Sequence, residues 1–142
     1  MKKMTFIIIL LFSFNGIAED KICKTSKTNI NICDVAKEIQ KEVSSTLPQK
    51  ISKNLFLRSI SSSLNVLTLH AKLLYSREYL ENAIKKGGIT MSKVEKQMYE
   101  MTNNIVCTQS PLKLFINLGG IINYQYIFED GESYLLIPVN TC

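Results

Sequence analysis

The chain of 142 residues has no tryptophan and a single histidine, His70. Any Ser-His-Asp or Cys-His arrangement would have to be built on that one imidazole. Its neighbours argue otherwise, because Leu67, Leu69, Ala71 and Leu73 alternate with Thr68, His70 and Lys72. Period-two alternation places His70 on the solvent side of a strand. Also absent are C-x-x-C, G-x-S-x-G, a phosphate-binding glycine loop, H-E-x-x-H and the EF-hand spacing. With one histidine, a tetrahedral zinc site would consume all four thiolates at unsuitable spacings. Glycine and proline are scarce, at 6 and 3 residues, which excludes collagen-like and low-complexity chains. Gly87–Gly88 and Gly119–Gly120 read as helix ends.

Concentrated charge is lacking too. Lys37 stands beside Glu38 and Lys41 beside Glu42, and only Lys21, Lys24 and Lys27 form an unopposed basic group. A nucleic-acid surface needs a basic stripe, so nucleic acid is not an expected partner. Glu129, Asp130 and Glu132 are the carboxylates closest together, but they crowd one turn. Exposed there, they would lack the raised pKa that a glycosidase acid requires. No cofactor, metal or catalytic residue is expected, and the chain reads as a non-enzyme.

The N-terminus has the form of an export signal. Lys2 and Lys3 precede an apolar run from Met4 to Phe14, and Gly16 and Ala18 occupy the −3 and −1 positions of a cleavage site. The run is shorter than the ~20 apolar residues that a membrane-spanning helix needs. The residues before Cys23 are polar, unlike a lipobox. The expectation is a signal peptide over 1–18 cleaved after Ala18, a periplasmic or secreted product, and no stable membrane insertion afterwards. Removing Lys2 and Lys3 leaves 15 basic against 12 acidic residues, a net charge of +3 instead of +5.

Residues 19–31 form a polar lead-in, and residues 32–142 read as one domain. Ile32, Val35, Ile39, Val43 and Leu47 step by three and four, predicting a helix that Pro48 ends. Leu55–Ser61 and Val66–Tyr75 predict a hairpin. Ser76 caps a helix over Arg77–Lys86, and Ser92 with Glu95 matches a capping box for a helix bearing Val94, Met98, Met101 and Ile105. A short helical segment follows Pro111. Ile121–Phe128 and Ser133–Val139 flank Asp130-Gly131, a strong hairpin signal. The expected fold class is α+β: an antiparallel sheet of about four strands from two hairpins, with helices packed against it, in the order α-ββ-αα(α)-ββ.

Cys23, Cys33, Cys107 and Cys142 allow three connectivities. Export favours structural disulfides. Cys107–Cys142 would staple the last hairpin to the helical layer, and Cys23–Cys33 would tie the lead-in to the first helix. Several short features recur together: Leu47-Pro48 before the first hairpin, Leu57-x-Ser59-Ile60, Cys107 before a short helix, and Leu118-Gly119. Tyr124-x-Tyr126 and Asp130-Gly131 leading to a terminal cysteine complete the set. Over residues 40–142 this set resembles a group of small exported bacterial proteins with no assigned activity. That resemblance implies the Cys107–Cys142 pairing and does not reach Cys23 and Cys33.

Ile122, Tyr124, Tyr126 and Phe128 share one strand face, with Tyr134 and Leu136 projecting similarly from the partner strand. One apolar face is the core of a sheet. Apolar residues on the opposite face leave a surplus, so this tyrosine-rich set is also a candidate interaction surface. The expected function is binding another macromolecule, an envelope or secreted protein, as an inhibitor, immunity or secretion-accessory factor. The rival expectation is a carrier of a small apolar ligand, enclosed with help from Met98 and Met101.

Overall fold

The computed structural model describes residues 21–25 and 29–142, so the expected signal peptide over 1–18 and parts of the expected lead-in lie outside the described residues. Helix α1 spans Ile32–Ser44. Its N-cap is Asn31, whose side-chain oxygen accepts from the backbone N–H groups of Cys33 and Asp34 at 3.0 and 3.4 Å. The buried side of α1 is Ile32, Cys33, Ala36 and Ile39. After it, Ser45 and Thr46 donate their hydroxyls back to the carbonyls of Glu42 and Val43 at 2.6 and 2.8 Å. These bonds close the helix end before Leu47–Pro48, whose peptide bond is cis.

Three strands follow: β1 (Gln49–Ser52), β2 (Leu55–Ser63) and β3 (Val66–Leu73). Helices α2 (Arg77–Gly87), α3 (Met91–Thr108) and α4 (Ser110–Asn117) then lead to β4 (Ile121–Ile127) and β5 (Ser133–Val139). The fold is α+β, as its patterning implies, but the sheet differs from the expected one. It has five strands in the order β1-β2-β3-β4-β5 and is mixed, because β3 and β4 run parallel. Two physical reasons account for the difference. Gln49–Ser52 is short and lacks a buried residue, so no alternation announces it as a strand. Parallel neighbours need a long crossover, which the three helices between β3 and β4 supply. Asn65 anchors this central pairing: its side chain donates to the Gly119 carbonyl at 3.2 Å and its own carbonyl accepts from Ile121 N–H at 2.9 Å.

Helices α1, α3 and α4 lie on one face. Helix α1 packs on β2 and β3, α3 on β5, and α4 on β4. The covered face carries Leu57, Leu67, Leu69, Ala71, Ile122, Tyr124, Tyr126 and Ile137, all buried. Helix α3 begins two residues earlier than its capping-box match, with Thr90 as N-cap accepting from Lys93 N–H at 3.3 Å. Its buried stripe is Met98, Thr102 and Val106, a spacing of four, while Met101 is turned outward. Met101 therefore encloses no ligand cavity. At Gly120 an added Cβ would be driven into the Phe115 ring, which is why glycine stands where α4 meets β4.

Both cysteine pairs are bonded, Cys23 to Cys33 and Cys107 to Cys142, with Cα–Cα distances of 5.1 and 5.6 Å. The first buries both cysteines against the core and draws the lead-in onto α1. The second joins the C-terminal end of α3 to the residues after β5.

Candidate functional site

The proposed surface residues of β4 and β5 lie on the covered face. Ile122, Tyr126 and Phe128 are fully buried, Tyr124 is 1% exposed, and Tyr134 packs against the core. The helices claim this face because its alternating apolar positions are continuous from β2 to β5. The side of β4 that faces away from the helices is the half-buried set Ile121, Asn123, Gln125 and Ile127. Of the two readings of this set, these residues take the core one, and they form no exposed interaction surface.

Tyr124 and Tyr126 are two residues apart on one face, with ring centroids 5.1 Å apart. Tyr126 has a partner: its hydroxyl lies 2.8 Å from Thr102 Oγ1 on α3, both groups buried. The hydroxyl of Tyr124 is equally buried and has none among the described residues. An unpaired buried hydroxyl costs about 1–3 kcal/mol. Burial, with Tyr126 beside it, pushes the Tyr124 hydroxyl far above the ordinary tyrosine range. The group therefore stays protonated, a neutral donor facing no acceptor.

Tyr124 is also one of the residues lining a groove of about 100 Å³ in the helical layer. The walls come from opposite ends of the chain. Val43, Thr46 and Ile51 form one side, Ile105, Gln109 and Pro111 the other, and Leu57 and Leu69 share the floor with Tyr124. The groove exists because α1 stops at Ser44 and α3 gives way to α4 at Gln109, so neither helix covers this part of the sheet. A register shift in β1 opposite Leu55–Phe56 makes Ile51 the extra residue that reaches the groove. Only neutral side chains line it. It can take an apolar group with one hydrogen-bond acceptor, and it has no means of activating a nucleophile.

The far end of the same face is closed. Phe128 and Tyr134 stack with centroids 4.8 Å apart, and the Arg77 guanidinium lies 5.0 Å from the Phe128 centroid. Arg77 also pairs with Glu132 at 2.7 Å, clasping α2 to the β4–β5 turn. The Tyr134 hydroxyl donates to Met91 Sδ at 3.3 Å. Burial, reinforced by the Glu95 carboxylate, pushes that phenol up to about 12.

His70 is on the face without helices, its Nε2 3.3 Å from Ser61 Oγ. Among the described residues no group of His, Cys, Asp and Glu is placed to hold a metal ion. Asp130 accepts from Glu132 N–H at 2.9 Å, so it serves the turn, and Glu132 is engaged by Arg77. Sequence reasoning marked the end of α1 at Pro48 but missed the groove, because its other walls are the α3–α4 break and an unmarked short strand. The local cues are Thr46-Leu47-Pro48 and Gln109-Ser110-Pro111, two helix interruptions that face each other only after folding.

No protein-family model matches the chain, and no curated protein matches it. Solved structures do. A Pseudomonas aeruginosa protein described as secreted is similar with a TM-score of 0.61 and 13% identity, over 77% of this chain and 88% of that one. The type 2 secretion system pilotin EpsS of Vibrio vulnificus is similar with a TM-score of 0.58 and 14% identity, over 76% and 86%. The type II secretion pilotin AspS of Vibrio cholerae is similar with a TM-score of 0.57 and 12% identity, over 77% and 88%. At these identities the likeness is one of fold.

Proposed function

We propose that the protein is an exported, non-enzymatic accessory factor that binds another protein of the cell envelope, in a pilotin-like role. In this reading the signal peptide is removed after Ala18, and the disulfide-stapled domain acts in the periplasm or outside the cell. The observation that carries it is an uncharged groove lined by Tyr124, a residue whose buried hydroxyl has no partner among the described residues. A partner segment that inserts an apolar side chain and offers a carbonyl or amide oxygen would satisfy that donor. Gln49 and Gln109 line the groove and have amides suited to the partner's backbone. The shared fold with two secretion pilotins supports the same role. The rival reading, a carrier of a small apolar ligand, is less well supported. Ligand cavities run to roughly 300–1,000 Å³, whereas this groove holds about 100 Å³, the space of one side chain.

The test is site-specific photocrosslinking in the cells that make the protein. A photoreactive residue at Gln109 should give one predominant crosslinked protein, identified by mass spectrometry, and the same residue at Ser63 on the far side of the sheet should not. Equal crosslinking from both positions, or none from Gln109, would sink the reading.

A further inference from the structure

The face of the sheet without helices carries a second feature, independent of the groove. Strand β2 contains one more residue than its partner: Leu57 pairs with Ala71 and Ser59 with His70, leaving Arg58 between them. In a regular strand Arg58 and Ser59 would point to opposite faces. The bulge leaves both exposed while Leu57 and Ile60 stay buried on the helix side. The outcome is a cleft of about 390 Å³ on the open face, lined by Arg58, Ser59, His70, Lys72, Ile127, Phe128 and, from the β4–β5 turn, Gly131. Every polar side chain among these either donates hydrogen bonds or can do so. None is a carboxylate. Neither Arg58 nor Lys72 has an ion-pair or hydrogen-bond partner among the described residues.

We propose that this cleft binds a phosphate ester. Two unpaired cations, a hydroxyl and an imidazole call for a ligand rich in acceptor oxygens. A phosphate monoester, with a charge near −2 and three terminal oxygens, matches two cations better than a singly charged carboxylate does. The planar guanidinium of Arg58 can grip two of those oxygens, with Lys72 as a point charge on the third. The cleft is larger than bare phosphate, and the carbons of Ile127, half-buried on this face, form a wall for the organic part of the ester. A lipid headgroup and a soluble phosphate ester present the same chemistry.

The test titrates the purified protein with glycerol 3-phosphate and, separately, with vesicles of phosphatidylglycerol in phosphatidylcholine. The expected result is saturable binding of glycerol 3-phosphate, with amide NMR shifts concentrated at Ser59, His70 and Lys72. Arg58→Gln/Lys72→Gln should weaken it at least tenfold. Lys96→Gln/Lys113→Gln, which removes the same charge elsewhere, should bind like the wild type. Vesicle binding that shows the same variant pattern assigns the lipid source, and glycerol 3-phosphate binding without vesicle binding assigns the soluble one. Three results would overturn the proposal: no binding of either probe, equal binding by Arg58→Gln/Lys72→Gln, or equal loss in the control variant. Photocrosslinking from Gln109 is unaffected by any of these outcomes, so the two proposals fail separately.

Discussion

The two ends of the helix-covered face use the same residues to opposite effect. At the end containing Tyr126, Phe128 and Tyr134, each hydroxyl has a partner, Thr102 or Met91, and Arg77 closes the side. At the Tyr124 end the helices part and a hydroxyl is left with nothing to bond. The two tyrosines have nearly the same burial and the same strand face, so sequence context does not separate them. What separates them is whether a helix passes overhead. The closed end serves stability, and the open end gives some stability up.

The largest break in this contrast should come from Phe128→Ala, which empties the closed end. Removal of a fully buried phenylalanine costs about 3–5 kcal/mol, measurable as a lower urea midpoint. Next is the double change Cys107→Ser/Cys142→Ser. It releases the C-terminal end of α3, beside the groove wall, by opening a bridge with a sequence separation of 35. The loop-entropy estimate gives a loss of about 3–4 kcal/mol, and wild-type protein under reductant, which also opens Cys23–Cys33, should melt below the variant. Thr102→Val should cost about 1–3 kcal/mol, because it makes Tyr126 as unpaired as Tyr124.

Tyr124→Phe sharpens the comparison by its sign. It should leave stability unchanged or raise it by up to about 1 kcal/mol, since it deletes an unsatisfied polar group, while weakening capture of the groove partner. Tyr126→Phe should instead lose about 1 kcal/mol. A Tyr124→Phe protein that is both less stable and equally able to crosslink would end the functional reading of that hydroxyl. The smallest effect is nil at neutral pH. Tyr75, Tyr124, Tyr126 and Tyr134 all have raised pKa values, chiefly through burial. Their folded values exceed the unfolded value of about 10, so their contribution is whole below pH ~10 and is lost as pH rises through the folded values. Stability measured from pH 8 to 12 should be flat and then fall, and Tyr124→Phe should soften that fall.

Much of this architecture is legible in the linear pattern. The alternation of Leu67 to Leu73 and of Ile122 to Phe128 marks the two central strands. Asp130-Gly131 marks their last turn, and Ser76 and Gly88 bracket α2 where their chemistry says they should. What is not legible is long-range. Nothing in Val66 or Ile121 announces that they lie side by side and parallel, because parallel pairing has no turn signature. A periodicity reading gave Met101 to the core of α3, but burial follows Met98, Thr102 and Val106. The groove escaped for a related reason. It is made by the absence of helix above Tyr124, and an absence has no motif.

The parallel seam between β3 and β4 divides the molecule in a further sense. Everything before Gly88 belongs to β1–β3 with α1 and α2, and everything after it to α3, α4, β4 and β5. Each disulfide lies wholly within one of these portions. The covalent link between them is the exposed stretch from Gly87 to Thr90. A single proteolytic nick there would yield two fragments, each with its own cross-link, held together by strand pairing and the clamp at Asn65. The protein is in effect a heterodimer that happens to be translated as one chain, and it should be reconstituted by mixing its two pieces.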